Sequence, residues 1–490
     1  MTDYLAFDLG ASNGRCVFAR FDGQKLQLEE VHRFENGPVK VLDHLYWDAL
    51  DLLSQIKTGI LKTRQLFGKS AVSLGLDTWG CDFALLDAKG KLLSNPYCYR
   101  DPQTAGIIET AFENIGKMDV FLETGLQFIE PNSLFQLLAM QRREDPIMDA
   151  AATFLHIPDL LHYWLTGLKT SEYTAASTSQ LMNAVTHQWS RPVINAYHLP
   201  DEIFPPIIKP GTSLGRIGKE IGMELDWPEL CVTATATHDT AAAIAAVPAQ
   251  GNNFAYISSG TWALLGQEIS QPLLTAKCMH MNVANEGGVF GTITLLRNIT
   301  NLWLLQECRR QWICDNEPLT WDEMVQCACA ENPFQGFLDP DDPTFILPGN
   351  MPTRIQRYLA DSKQLIPYSK GGIVRVILES LAFKYRYTLE RVLLVTGIPV
   401  DMLYIICGGS RNRILNQFCA NATNLPVVAG SHEATIIGNV LLQMAATGEV
   451  KSLDEARELV RNSFPTEIYF PTDAQTWDDQ YEKYLRQTGL

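Results

Sequence analysis

The residues that could do chemistry begin almost at once, in Phe7-Asp8-Leu9-Gly10-Ala11-Ser12-Asn13-Gly14-Arg15. Residues 4–7 read as a buried strand. An acid follows, then two glycines four apart with small polar residues between them, then an arginine. Glycine lets the backbone approach an anion and adopt φ > 0, so the N–H groups and hydroxyls of such a turn suit a phosphate. Asp8 at its base suits a hydrated magnesium ion, a hard cation that takes oxygen ligands. By itself the segment also fits an ordinary tight hairpin. Two later stretches repeat the theme. Ser258-Ser259-Gly260-Thr261 lies between the apolar runs 255–257 and 262–265, and Gly408-Gly409-Ser410-Arg411-Asn412 precedes a helical pattern that ends near residue 423. Asn412 is a natural N-cap, and helix N-termini favour phosphate.

Other apparent motifs fail on their context. Phe67-Gly68-Lys69-Ser70 ends like a Walker loop, but Thr63 stands where its first glycine belongs. Residues 48–66 have helical periodicity and 71–76 read as a strand, so Gly68 closes a helix instead of opening one. His432-Glu433 starts like a zinc-protease motif, with Ile436 in place of the second histidine. The nine histidines show no ligand spacing, and no metal site of histidine and cysteine is expected. The eleven cysteines include no Cys-x-x-Cys pair; Cys16, Cys98, Cys407 and Cys419 lie in apolar surroundings and read as small buried hydrophobes.

The elements that must position the turns fall into two halves. At 490 residues, 46% hydrophobic and 19% charged, the chain is an ordered globular protein too long for one core. Strands are expected at 4–9, 15–20, 26–34 and 72–77, with a hairpin strand at 83–87. Amphipathic helices include 133–143 and 159–165. Residues 192–228, rich in proline and glycine, suit irregular structure. A strand at 230–236 leads into His238-Asp239-Thr240 and the small apolar run 241–246, where Asp239 has the form of a helix cap. Pro248-Ala249-Gln250-Gly251-Asn252-Asn253 reads as a crossing, giving domains 1–247 and 248–490, with the C-terminal helix expected to pack back on the first. The charge of −16 argues against nucleic acid or an anionic membrane as the main partner. No apolar run reaches the ~18 residues of a membrane span and no secretory signal precedes Tyr4. A cytoplasmic protein is expected, monomer or homodimer.

Two phosphate turns in two α/β halves, with an acid near the crossing, is the layout of the actin–hexokinase superfamily. The segments that make a more specific match are Asp8 to Arg15, Leu76-Asp77-Thr78-Trp79-Gly80-Cys81-Asp82-Phe83, Tyr99-Arg100-Asp101 and Thr237-His238-Asp239-Thr240-Ala241. They continue in Ser258-Ser259-Gly260-Thr261-Trp262, Asn285-Glu286-Gly287-Gly288, Asn298 with Trp303-Leu304-Leu305-Gln306, and Gly408 to Asn412. In these, in order and over nearly its whole length, the chain resembles the FGGY family of carbohydrate kinases. The fold this implies is α/β, two-domain and actin/hexokinase-like (ribonuclease H-like), with ATP and sugar in the interdomain cleft. One departure is Cys407, where a third glycine is expected.

The resemblance implies roles residue by residue. Ala11, Ser12, Asn13, Gly14 and Arg15 would cradle the β- and γ-phosphates of ATP, with Asp8 acting on Mg2+ through water. Thr261 would contact phosphate from the second domain, and Asn298, Gln306 and Gly408 would lie at the nucleotide. Gly80, His238, Asp239 and Thr240 fall on the sugar, where Asp77, Trp79 and Asp82 suit it too, as polar groups beside an aromatic platform. Asp239 becomes the candidate base for the acceptor hydroxyl, displacing the cap reading. An ATP-dependent ketose kinase is implied. Trp79 and the alanines after Thr240 favour L-rhamnulose as acceptor over L-fuculose, a related 6-deoxyketose. A non-enzymatic actin-like nucleotide-binding protein would need neither an acid at 239 nor the sugar-side segment 77–83.

Overall fold

The computed structural model describes residues 1–490, and its contacts divide the chain into two compact units. The first holds Met1–Gln250, Glu268–Leu295 and Ala434–Phe464; the second holds Gly251–Gln267, Leu296–Glu433 and Pro465–Leu490.

In the first unit six strands form one sheet, in the order Thr212–Arg216, Cys231–Ala234, Ala71–Thr78, Thr2–Leu9, Asn13–Phe21, Leu26–Glu35. The last three make an antiparallel meander in which Asp8 faces Arg15. Thr2–Leu9, Ala71–Thr78 and Cys231–Ala234 run parallel, with Asp8 in register beside Asp77. Parallel strands are covered on both faces and read as continuous apolar runs. Tyr4, Leu5, Ala6 and Phe7 are accordingly buried without a break. Ligands of open α/β sheets gather beyond the carboxyl ends of such strands. Asp8 and Asp77 stand at that edge, and Thr78 bridges to His238 there.

The helix Asp239–Ala245 leaves the same edge, and its alanines are a packing requirement. It lies so close to the helix Ala434–Thr447 that a Cβ on Gly438 would fall 1.7 Å from the Ala242 carbonyl oxygen. Close-packed interiors have no room for such an atom. A side chain at 438 would push the Asp239 helix away from the sheet edge.

The second unit repeats the plan. Phe254–Ser259 runs antiparallel to Trp262–Ile269 and parallel to Met402–Ile406, with Val427–Ala429 and Glu467–Tyr469 beyond. The long helix Lys370–Thr396 backs this unit and buries Lys384, whose Nζ meets Asp339 at 2.6 Å and Asp341 at 3.0 Å.

Several expected elements fall otherwise. Phe83–Leu86 pairs antiparallel with Thr153–His156 in a separate sheet, because the chain turns at Cys81 (φ 72°) and leaves the main sheet. Residues 192–228 are not irregular throughout: Arg191–Ala196, Thr212–Arg216 and Lys219–Glu224 are short elements, the first started by proline in its opening turn, where no N–H is needed. Asn298 lies on the strand Ile293–Thr300, ahead of the helix Trp303–Cys314 that carries Gln306. Gly68 does close the helix Ala49–Phe67, its N–H donating to the Arg64 carbonyl. No helix is long and apolar enough to cross a membrane.

Candidate active site

The first turn is braced by its own charges. Arg15 donates from Nε and Nη2 to Asp8 Oδ2, at 3.1 and 2.8 Å. Asn36 fixes the backbone from outside, its side chain donating to the Gly10 carbonyl at 2.8 Å and its N–H to that of Ser12 at 3.2 Å. Ala11 is half-buried, Ser12 and Asn13 are exposed, and Gly14 is buried beneath the Phe34 ring. Beside Asp8, Asp77 is fully buried. Its Oδ2 accepts from Asn439 at 2.6 Å and its Oδ1 has no partner. Burial, and then the charge of Asp8, hold the Asp77 carboxyl well above the usual range.

Asp239 is the first residue of its helix. The N-cap is His238, which makes no capping hydrogen bond, and Asp239 lies one position inside the helix. Its side chain is 33% exposed, and Oδ1 accepts from Thr240 Oγ1 at 3.3 Å. Burial, and then the charge of Asp8, push it up to about 7. A base poised near neutrality balances the fraction ionised against proton affinity. The segment before it is clamped by Glu172, a buried residue without a sequence signal, whose Oε2 accepts from Thr237 N at 3.0 Å and Thr237 Oγ1 at 2.7 Å. Gly80 belongs to the same cluster: a Cβ there would stand 3.0 Å from Thr178 and 3.2 Å from His238 Nε2. Gly80, His238, Asp239 and Thr240 are thus brought together.

Trp79 and Asp82 sit in an aromatic box beside this cluster. Asp82 Oδ2 accepts from Trp47 Nε1 at 2.5 Å, Trp79 Nε1 at 2.8 Å and Tyr99 N at 3.1 Å, and its Oδ1 accepts from Gln136 at 2.8 Å. The two indoles lie with ring centroids 4.1 Å apart. Asp82 therefore holds both rings through Oδ2 while Oδ1 is taken by Gln136, and burial pushes its carboxyl up to about 7.

In the second unit, Thr261 Oγ1 lies 3.3 Å from both amide atoms of Gln306, which brings these two predicted residues together. The Thr261 carbonyl accepts from the N–H groups of Asn301 and Trp303. Asn301, which sequence reading passed over, donates to Ser259 Oγ and the Gly260 carbonyl at 2.9 Å each, and Tyr385 donates to Asn301 at 2.5 Å. The glycine loop rests on this turn, since a Cβ on Gly409 would fall 2.0 Å from Ser259 Oγ. Gly408 has open space beside it, and Asn412 caps the helix Arg413–Thr423 by accepting from Leu415 N. Cys407, ahead of Gly408, takes φ 66°, ψ −167°, a conformation natural to glycine. Asn298 is half-buried on its strand.

The first unit thus gathers acids at the carboxyl edge of its sheet, and the second carries a turn of its own braced by Asn301 and Gln306. Residues 3–246 match the N-terminal domain of the FGGY family of carbohydrate kinases, and residues 255–447 its C-terminal domain. The chain belongs to this family and is a carbohydrate kinase. It is 43% identical over 479 residues to the rhamnulokinase of Bacteroides thetaiotaomicron, covering 98% of each chain. It is 38% identical over 492 residues to that of Enterococcus faecalis, covering 99% of this chain and 98% of the other. Its fold matches a ligand-bound xylulose kinase from Lactobacillus acidophilus with a TM-score of 0.80 at 15% identity, covering 99% and 97% of the two chains. It also matches Plasmodium falciparum glycerol kinase with ADP, with a TM-score of 0.76 at 17% identity and the same coverage.

Proposed function

We propose that this kinase transfers the γ-phosphoryl group of ATP to L-rhamnulose, giving L-rhamnulose 1-phosphate, with Asp239 as general base. The observation that carries the reading is the state of Asp239: partly exposed, poised near neutrality, inside the helix and not at its cap position, and beside Gly80 and His238. The choice of sugar is supported by the curated relatives, which bear the name rhamnulokinase. As the acceptor oxygen attacks phosphorus, its O–H bond breaks and Asp239 takes the proton, while the bond to ADP breaks on the far side. Positioned proton transfer of this kind contributes roughly 10²–10⁴ in rate. Ala11 to Arg15 and Thr261 hold phosphate oxygens, with Gln306, Asn298 and Gly408 toward the nucleotide. Gly80, His238 and Thr240 hold the sugar, with Asp77, Trp79 and Asp82 behind them.

A hydrated magnesium ion fits the acids beside the first turn, because Asp77 Oδ1 is buried without a partner next to Asp8. No three of the chain's His, Cys, Asp and Glu converge on one point, so Asp8 and Asp77 would hold such an ion through water. Its contribution there is to neutralise phosphate charge. The test is ADP release with a panel of ketoses. L-rhamnulose should give the highest kcat/KM, ahead of L-fuculose, D-xylulose and glycerol. A best result with L-fuculose would remove the sugar assignment and leave the kinase assignment standing.

A further inference from the structure

Glu286 is a buried carboxylate with no part in the chemistry above. It sits on the short strand Ala284–Gly287 of the first unit. That strand is pinned by Asn285, whose backbone and side-chain N–H groups both donate to the Gly125 carbonyl at 2.9 Å, and by Gly287 N, which donates to Ser177 Oγ at 2.8 Å. The Glu286 side chain is therefore delivered to one place. Its Oε2 stands 3.5 Å from Nδ1 of His238, while Nε2 on the other side of the same imidazole stands 3.5 Å from Asp239 Oδ1. His238 is 7% exposed and Glu286 6%. His238 Nδ1 and Glu286 Oε2 both lack any other hydrogen-bond partner.

Two buried orphan atoms facing each other satisfy one another at the cost of a small side-chain rotation, whereas leaving both unpaired is expensive. A neutral imidazole has a single N–H, and the stronger claim on it decides the tautomer. Asp239 Oδ1 already accepts from Thr240, while Glu286 Oε2 has nothing else. Burial keeps the imidazole neutral. We propose that Glu286 is a positioning residue for the transfer: it accepts the Nδ1–H of His238 and so turns the Nε2 lone pair, not an N–H, toward Asp239. The alternative tautomer would donate Nε2–H to Asp239, stabilise its carboxylate and weaken it as a base. The inference rests on the reading of Asp239 as base. Other ionisable groups act on this cluster: His156 on His238, Asp8 on Asp239, and Cys81 and Asp77 through their interaction with Asp239.

The test has a readout independent of activity. In ¹⁵N-histidine-labelled protein, assigned with a His238→Gln control, His238 should carry its proton on Nδ1. In Glu286→Gln and Glu286→Met it should shift toward Nε2–H, with kcat falling about tenfold and the KM for sugar staying within about twofold. In the His238→Gln background, Glu286→Gln should cost no further kcat, since the residue acts through the imidazole. An Nε2–H tautomer in the unmodified protein would overturn the proposal, as would wild-type kcat in both Glu286 variants. A tenfold rise in sugar KM at unchanged kcat would make Glu286 a sugar ligand instead and overturn it equally. Asp239→Asn separates the two levels: if that variant stays active, the base assignment itself fails; if it is inactive while Glu286→Gln behaves as wild type, only the role of Glu286 fails.

Discussion

Asn439 donates its side-chain N–H to Asp77 Oδ2 at 2.6 Å, joining two residues 362 positions apart in the chain. Gln443, one helical turn on, donates to Asn439 Oδ1 at 2.9 Å and to the Leu5 carbonyl at 3.0 Å. A helix from the last quarter of the sequence thus fixes the carboxyl edge of the first sheet. This bond is the one the Asp77 carboxyl makes. Asn439→Ala should lower stability by about 1–3 kcal/mol, the cost of an unsatisfied buried polar group. Thermal unfolding checks this, and an unchanged melting temperature would mean that Asp77 is satisfied in some other way.

Asp239→Asn keeps the shape of the side chain and removes its basicity. The variant should lose roughly 10²–10⁴ in kcat with little change in sugar binding. Because His238 occupies the cap position and Asp239 does not, Asp239→Ala should be as inactive and about as stable. Steady-state kinetics and melting curves on the pair decide this. Retention of more than about a tenth of kcat in Asp239→Asn would end the base assignment, since even the low end of the range demands more.

The buried acids make stability depend on pH in a direction that can be worked out. Glu172 is pushed up to about 7 by burial, against an ordinary value near 4.3 in the unfolded chain. Between those values the folded state holds a proton that the unfolded state has released. Its contribution is therefore complete below about pH 4 and lost as pH rises through about 7. His156 and His162, depressed to about 3 by burial, act in the opposite sense, with stability lost as pH falls below about 6.5. The two trends offset each other in the protein as a whole. They separate in a difference measurement: Glu172→Gln should be least stable relative to the parent at pH 5 and closer to it at pH 8. A difference independent of pH would show that Glu172 is ionised throughout.

Cys407 adopts φ 66°, ψ −167° immediately before the glycine loop. A side chain in that region costs on the order of 1–3 kcal/mol, and a glycine would remove most of the strain while adding ~0.5–1 kcal/mol of unfolded-state entropy. Cys407→Gly should therefore raise the melting temperature and leave the KM for ATP near its original value. A lower melting temperature would mean that the contact of Cys407 Sγ with Ser258 Oγ, at 3.5 Å, outweighs the strain.

Much of this protein was legible in the chain because local chemistry wrote it there. The strand–turn–strand around Gly10 and Gly14, the closure of a helix at Gly68 and the cap at Asn412 each depend on residues within a few positions of one another. The family segments likewise indicate the fold and a kinase without any distance being known. Tertiary structure decided what those positions touch. From the residues alone Asp239 has the form of a helix cap, the family resemblance makes it the candidate base, and Asp82 suits a place beside the sugar. Folding makes His238 the cap residue and commits the Asp82 oxygens to Trp47, Trp79, Tyr99 and Gln136. Phe83–Leu86 likewise took its partner from residues 153–156 and not from its neighbour. Glu172, Asn301 and Asn439 carry no local signal because each acts on a residue far away in sequence or in another element. The sequence determines which groups are present and which turns can form; burial and long-range pairing decide which carboxylates stay poised near neutrality, and only packing supplies those.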